Sequence, residues 1–382
     1  MYGLADYGYM ITDQVRTGAY VKALRATVKP GSAVLDLGTG TGIFALLACQ
    51  FGARRVYAVE PNDCVQLAKK IAVANGFMDR IEFIQDVSLR TTLPEKADTI
   101  VTDMRGVLPF YHENLRSIID ARQRLLKPNG TLIPQIETLW AAVAEVPDLY
   151  RLHLSPWNEN PHGFDMKPAL EMVTNQWRRA RLKPEQLLSE PKSLAILDYA
   201  SLESPNLKGK VCWIAGRAGL AHGITVWFDS VLADGVEFSN APGKPELIYG
   251  NAFFPWPKPV ILDLTDTISF ELMADLVGTD HVWRWNTTIR TQDKLSPIKA
   301  RFNQSSFLGE PLSPDRLRKS SEHFVPHLNM DGRIDAFIVK LMGEGISLGD
   351  IASQVLNQFS APFSCWKDAL TRVGKLSQKY SQ

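Results

Sequence analysis

Residues 34–42 read Val-Leu-Asp-Leu-Gly-Thr-Gly-Thr-Gly, and this stretch decides the fold. An apolar strand runs into three alternating glycines, Gly38, Gly40 and Gly42, and an apolar run follows at 43–49. Because a glycine has no Cβ, the backbone can approach a ligand closely there, and the apolar run predicts the helix behind the turn. The stretch therefore predicts a sheet that presents a nucleotide-like cofactor to a helix.

The next predicted strand ends in an acid that suits the ribose of such a cofactor. Residues 55–60 read Arg-Val-Tyr-Ala-Val-Glu, and Glu60 can accept hydrogen bonds from both ribose hydroxyls. The glycines follow Asp36 with the spacing G-x-G-x-G, which is typical of S-adenosylmethionine (SAM) enzymes, whereas an NAD site favours G-x-G-x-x-G. We predict SAM as the cofactor, with Asp36 and Glu60 among its contacts, and an NAD-type fold as the alternative.

Composition limits the partners and the compartment. The net charge is +1 and there are no long Lys/Arg blocks, so we expect no nucleic-acid partner, which would need clustered cations. The four cysteines form no C-x-x-C pair and no His/Cys cluster, so we expect neither a disulfide framework nor a metal site. No run approaches the ~20 apolar residues that cross a bilayer, and no signal-peptide pattern is seen. We expect a soluble, cytoplasmic protein without a membrane partner.

Three regions differ in their sequence pattern. Residues 1–134 alternate strand and helix patterns, which predicts an α/β fold with a doubly wound parallel sheet, a Rossmann-like SAM domain. Residues 135–310 hold β-rich segments separated by Gly and Pro, which predicts an antiparallel domain. Within them, 166–197 is more polar and helix-prone, and is an insertion or a long surface loop. Residues 311–382 predict a connector and a small helical segment.

Motifs across residues 5–290 resemble those of the protein arginine methyltransferases, in the same order. Residues 10–20 are similar to that family's segment before the first strand, and 157–166 and 222–229 resemble a stretch leading towards its dimerisation arm and a later barrel strand. The resemblance implies a SAM domain followed by an antiparallel β-barrel. It also implies that 166–197 is a helical arm through which the chain forms a homodimer.

The same resemblance adds cofactor contacts. It implies that Arg16 pairs with the SAM carboxylate, which a guanidinium can grip with two parallel hydrogen bonds; a solvated helix arginine is the alternative. Asp86 and Val87 follow the third strand, where related enzymes reach the adenine, although a loop Asp is often only a turn former. The family's lid helix is almost absent, and three tyrosines are its remnant: Tyr2, Tyr7 and Tyr9.

The acceptor site departs from the family's pattern. In arginine methyltransferases, a loop after the fourth strand supplies two glutamates that orient the guanidinium. When the family's loop is aligned without a gap on residues 102–113, its first glutamate falls on Asp103 and its second on His112. Glu113 stands one residue late. Arg105 adds a positive charge, and the family's Thr-His-Trp loop falls near 248–250 without His or Trp.

These departures favour an acceptor less cationic than a protein arginine. A neutral amide nitrogen or a hydroxyl is a poor nucleophile, so its methylation needs a group that draws off the proton. His112 and Asp103 suit this catalytic role, with Glu113 as a further candidate, and a purely structural role in the loop is the alternative.

The end of the chain bears on the acceptor. Helical patterns cover 333–343, 348–359 and 365–380, and 334–352 resemble the small helical part of PqqD-like modules, which bind leader peptides of ribosomally made natural products. A structural cap is the alternative. We predict a SAM-dependent methyltransferase that acts on a side-chain nitrogen, amide or guanidino, of a peptide such as a natural-product precursor. The alternatives are a small-molecule O- or N-methyltransferase and a non-catalytic SAM-binding scaffold.

Overall fold

The computed structural model describes residues 3–159, 162–291 and 297–381. Tyr2 of the predicted lid lies outside these residues, as do two positions of the segment 157–166. The chain forms two compact units, Met1–Pro311 and Leu312–Gln382. One hydrophobic core runs through both the predicted SAM domain and the predicted barrel, so the boundary at residue 134 stays a prediction.

A five-stranded parallel sheet opens the first unit and confirms the predicted doubly wound fold. Its strands are β1 (Ala33–Leu37), β2 (Arg55–Val59), β3 (Ile81–Ile84), β4 (Ala97–Thr102) and β5 (Leu126–Ile133). They pair in the order β3-β2-β1-β4-β5. All of β1 is buried, as expected for a strand covered by helices on both faces. The strand order reverses between β1 and β4, which is where ligand sites form in such sheets.

The helices of this part are α1 (Leu4–Thr12), α2 (Gln14–Thr27), α3 (Ile43–Gln50), α4 (Cys64–Ala74) and α5 (Asn114–Leu125). Helix α1 has no buried residue, whereas α2 packs Tyr20 and Leu24 into the core. The Asp13 side chain accepts a hydrogen bond from the Arg16 backbone N–H and thereby caps α2. This cap fixes the first turn of α2, which carries Arg16.

Antiparallel sheets follow and confirm the predicted β-barrel part of the fold. Their strands are β6 (Ile136–Ala144), β7 (Arg178–Ala180), β8 (Lys192–Asp198), β9 (Leu207–Ile214), β10 (Gly219–Ala233), β11 (Val236–Ser239), β12 (Asn251–Leu262), β13 (Thr267–Val277), β14 (Asp280–Arg290) and β15 (Ile298–Ser305). The sheet orders are β7-β12-β10-β6-β8, with β11 on β10, and β15-β14-β13-β9. Buried and exposed residues alternate along β9, so one face of this strand packs on the core.

The helical insertion lies earlier in the chain than predicted. Its helices are α6 (Pro147–Asn158) and α7 (Pro168–Thr174). The predicted range 166–197 is wrong at its carboxyl end, because β7 pairs with β12 and residues 192–197 pair with β6. Long-range strand pairing here overrides the local helix propensity on which the prediction rested.

The second unit is a small helical bundle, as the sequence pattern indicates. Its helices are α8 (Pro314–Lys319), α9 (Met330–Gly343), α10 (Leu348–Gln358) and α11 (Trp366–Tyr380). Apolar side chains of α9, α10 and α11, among them Ile338, Val355 and Val373, form a separate core. The Ser347 hydroxyl accepts from the Asp350 N–H and caps α10. Across the residues described here, no helix is long and apolar enough to cross a membrane.

Candidate active site

The three glycines form a tight turn at the carboxyl end of β1. Gly38, Gly40 and Gly42 have φ angles of 77°, 54° and 89°, in the left-handed region that favours glycine. A Cβ on Gly38 would lie 2.5 Å from a Met104 side-chain carbon, and a Cβ on Gly40 would lie 2.7 Å from the Tyr7 ring. The turn therefore has no room for side chains at these two positions, and α1 lies over it through Tyr7.

Asp36 supports this turn from inside. Its carboxylate accepts hydrogen bonds from the Thr39 hydroxyl at 2.5 Å and from the Ala45 N–H at 2.9 Å. The side chain is fully buried, and burial raises its pKa to about 7. These contacts give Asp36 a structural role in holding α3 against the turn. A contact with the cofactor stays a prediction.

Glu60 lies directly beside the glycine turn. One carboxylate oxygen accepts from the Gly40 N–H at 3.0 Å, and the other accepts from the backbone and side-chain N–H groups of Asn62. The residue is only 5% exposed. The acid predicted for the ribose hydroxyls is thus held next to the turn, at the end of β2.

The structure favours the turn-forming interpretation for Asp86. Its carboxylate accepts from the Val87 N–H at 2.7 Å and from the Arg90 guanidinium at 2.5 Å. The hydrogen bond from Arg90 lowers the pKa of Asp86. Asp86 therefore organises the loop after β3, and the adenine contact predicted for Asp86 and Val87 stays untested.

Arg16 and Asp103 form one buried ion pair. Arg16 Nε lies 2.5 Å from Asp103 Oδ2, and the side chains are 5% and 7% exposed. Burial opposes the charge on Arg16, but Asp103 beside it raises the pKa of Arg16 above its ordinary value. The solvated-arginine alternative is therefore wrong. Residues predicted separately for the cofactor and for the acceptor are in direct contact.

Arg105 holds Asp103 from the other side. Its Nε lies 2.8 Å from Asp103 Oδ1, and its Nη1 forms an ion pair with Glu137 of β6. Burial disfavours the charge on Arg105, but Glu137, Tyr20 and Asp103 raise its pKa well above the ordinary value. Both carboxylate oxygens of Asp103 are engaged by guanidinium groups, Oδ2 by Arg16 and Oδ1 by Arg105. The geometry therefore gives Asp103 a positioning role and argues against proton abstraction by it.

Tyr249 is a site residue that the sequence analysis missed. It lies in the segment between β11 and β12, and its hydroxyl donates to Asp103 Oδ2 at 2.7 Å and accepts from Arg16 Nε at 3.0 Å. Burial raises the pKa of Tyr249 well above its ordinary value, so the hydroxyl stays protonated. The alignment of 248–250 with the family's Thr-His-Trp loop points to this segment. The loss of His and Trp there does not by itself indicate that Tyr249 enters the site.

His112 and Glu113 lie apart from the Asp103 network. His112 has a φ of 49°, its side chain is 55% exposed, and its Nδ1 lies 3.7 Å from an Asp280 carboxylate oxygen. Glu113 precedes α5 and accepts from Arg116 at 2.8 Å. In the described structure, neither residue contacts Asp103, so the predicted catalytic trio is not one cluster. No group of three or more His, Cys, Asp or Glu side chains in the described residues is arranged to hold a metal ion.

Comparison with known proteins decides the family. The family model described as ribosomal protein L11 methyltransferase (PrmA) matches residues 16–135. Protein arginine N-methyltransferase 6 of Xenopus laevis is 33% identical over 282 residues, which cover 70% of this chain and 81% of that protein. The chain belongs to the protein arginine methyltransferase family. A probable protein arginine N-methyltransferase 6 of Arabidopsis thaliana is 29% identical over 245 residues, and the match spans 55% of its length.

Solved structures agree with this family fold. The PRMT1 enzyme–prozyme heterotetrameric complex of Trypanosoma brucei with AdoHcy has a TM-score of 0.72 at 20% identity, covering 80% of this chain and 98% of that one. Arabidopsis thaliana protein arginine methyltransferase 10 has a TM-score of 0.68 at 22% identity, covering 79% and 97%. The predicted enzyme class, a SAM-dependent methyltransferase, and the predicted cofactor, SAM, are confirmed. The glycine turn, Glu60 and the buried Arg16 fit that cofactor.

Proposed function

We propose that the protein transfers the methyl group of SAM to a side-chain nitrogen of a peptide, an amide or a guanidino nitrogen. The observation that carries the proposal is the convergence on Asp103 of Arg16, from the cofactor side, and Tyr249, from the barrel. The end of β4 is therefore where the cofactor side and the barrel meet. The names of the relatives, protein arginine N-methyltransferases, support a nitrogen on a peptide as the acceptor.

SAM supplies an electrophilic methyl group when it is bound. Arg16 would hold its carboxylate and Glu60 its ribose, while the glycine turn lets the backbone lie close to it. Asp103, fixed by Arg105 and Tyr249, would position the acceptor. His112 lies in the same loop after β4 but, in the part of the chain that the structure describes, does not contact Asp103. As the proposed base it would therefore have to move towards the acceptor to take up the proton released by the nitrogen; a positioned base contributes ~10²- to 10⁴-fold.

Three peptides that differ at one residue, carrying Arg, Gln or Asn there, test this function with isotopically labelled SAM and tandem mass spectrometry. Label on a side-chain nitrogen is the expected result. Label only on oxygen, or only on small metabolites, would contradict the peptide-nitrogen proposal. Binding of SAM without transfer to any acceptor would support the scaffold alternative instead.

We also propose that Leu312–Gln382 binds part of the peptide, which suits a natural-product precursor. The unit has its own core, and it exposes Leu348 and Trp366, each by 40%. Since residues 312–381 contain no strand, a bound peptide would lie against helices and would not extend a sheet edge. Deleting 312–382 should weaken binding of precursor-length peptides and leave SAM affinity unchanged. Unchanged affinity for long peptides would contradict this role.

A homodimer through the helical insertion is the proposed assembly. Leu152 of α6 is 68% exposed and Met172 of α7 is 40% exposed, and a second copy would cover these apolar side chains. Leu152→Asp should shift the mass in solution, measured by light scattering, from dimer to monomer. Ile261→Asp, at a 67% exposed position on β12, is the matched control and should leave the dimer intact. A dimeric Leu152→Asp protein would exclude this surface.

A further inference from the structure

Arg105 is held as a bound guanidinium ligand would be held. It forms ion pairs with two carboxylates, Asp103 and Glu137, and its Nη2 donates to the Tyr20 hydroxyl at 2.9 Å. Its side chain is only 4% exposed. Two carboxylates on one planar cation are what the recognition of a substrate guanidinium needs.

Aromatic rings complete the surroundings of Arg105. Its Cζ lies 5.1, 5.5 and 5.7 Å from the ring centroids of Phe228, Phe238 and Tyr249. At these distances a guanidinium gains cation–π attraction. The position beside Asp103 is therefore filled by a cation that belongs to the chain itself.

Glu137 keeps Arg105 in this place. Its carboxylate accepts from the Tyr199 hydroxyl at 2.6 Å and from the Ser230 hydroxyl at 3.1 Å, and it is fully buried. Burial raises the pKa of Glu137, and Arg105, Tyr199 and Ser230 oppose that rise. Arg16 and Arg105 balance Asp103 and Glu137 in charge. When the cofactor carboxylate takes Arg16, Asp103 still pairs with Arg105, so a further guanidinium there would meet a carboxylate already held by a cation and would lose its hydration.

We propose that Arg105 is a specificity-determining residue: an internal guanidinium that occupies the position beside Asp103, so that the acceptor nitrogen is neutral, as in a carboxamide. This inference rests on the proposed function and names its acceptor class. Between the amide and guanidino nitrogens left open above, it selects the amide.

Blocked arginine and blocked citrulline amides are suitable probes, because the two side chains have nearly the same shape and differ in charge. Calorimetry with bound S-adenosylhomocysteine measures their affinities without turnover. The double variant Arg105→Met/Glu137→Gln removes one charge of each sign. Arg54→Met/Glu95→Gln, at an exposed ion pair far along the sheet, is the matched control. Arg105→Lys keeps the positive charge.

We expect the wild type to bind the citrulline compound ~10-fold or more tightly than the arginine compound, the size of one charged hydrogen bond. The double variant should gain ~10-fold in arginine affinity, while the control and Arg105→Lys proteins should not. A wild type that prefers arginine, or a folded double variant without this gain, would overturn the inference. If no peptide is methylated, the proposed function is wrong. The binding preference would still test the role of Arg105.

Discussion

The guanidinium of Arg16 and the carboxylate of Asp103 lie 2.5 Å apart, Nε to Oδ2, and both side chains are almost fully buried. The pair joins the first turn of α2 to the end of β4. If Arg16 holds the SAM carboxylate, cofactor binding must exchange one carboxylate partner of Arg16 for another. Asp103 then keeps Arg105 and Tyr249 as partners. The cofactor half and the acceptor half of the site are coupled through this one side chain.

Gly40→Ala should weaken SAM binding ~10-fold or more. The added methyl group would lie 2.7 Å from the Tyr7 ring, at a φ of 54° that costs an L-residue about 1–2 kcal/mol. Gly76→Ala is the matched control, because Gly76 has a similar φ of 71° and open space around it. Calorimetry should give wild-type SAM affinity for Gly76→Ala. Equal affinities for both variants would show that the turn does not contact the cofactor.

Replacing His112 should lower turnover ~100-fold or more while SAM affinity stays near the wild-type value, because the proton would lose its acceptor. His112 has a left-handed φ of 49°, so Asn, which tolerates that conformation, should be tested beside Ala. His323→Ala, an exposed histidine of the second unit, is the control. Wild-type rates in both His112 variants would leave His112 only a structural role in its loop.

Tyr249→Phe removes a hydroxyl that both donates to Asp103 and accepts from Arg16. We expect the free energy of unfolding to fall by about 1–3 kcal/mol and turnover to fall ~10-fold, since Asp103 loses one of the groups that fix it. Tyr150→Phe removes a comparable hydrogen bond, 2.9 Å long, to the Trp256 carbonyl. The control should lose stability alone. Equal turnover in the two variants would place Tyr249 outside the acceptor site.

Asp36 should make stability depend on pH. Burial raises its pKa from about 3.8 in the unfolded chain to about 7, so between these values the folded protein keeps a proton that the unfolded chain has lost. The free energy of unfolding should therefore decrease as pH rises from about 4 to 7, by at most about 4 kcal/mol from this group. Urea unfolding should show a weaker pH dependence for Asp36→Asn than for the exposed-site control Asp165→Asn. Identical pH profiles would contradict the raised pKa.

The sequence predicted what local chain geometry determines. The turn at Gly38, Gly40 and Gly42 needs positive φ angles, and the alternation of strand and helix patterns follows from burial of the parallel sheet. Each of these signals depends on residues that lie close together in the chain, so each can be recognised from one sequence. The ends of the helical insertion could not be read this way, because β7 forms only by pairing with residues some seventy positions later.

The acceptor side could be predicted only in part for the same reason. Asp103 and Arg105 stand out as departures from the family's pattern. Their partners do not, because Glu137 and Tyr249 come from the barrel and reach the end of β4 through tertiary packing. A charge that looked like a local addition, Arg105, is in the folded chain the centre of a neutral buried network.

The most direct measurement compares the affinities of SAM and decarboxylated SAM for the wild type and for Arg16→Met. The wild type should bind SAM ~10-fold or more tightly, because only SAM offers a carboxylate to the buried guanidinium of Arg16. The preference should disappear in Arg16→Met. Equal affinities in the wild type, or a preference that survives in Arg16→Met, would contradict a cofactor site built on the glycine turn and Arg16.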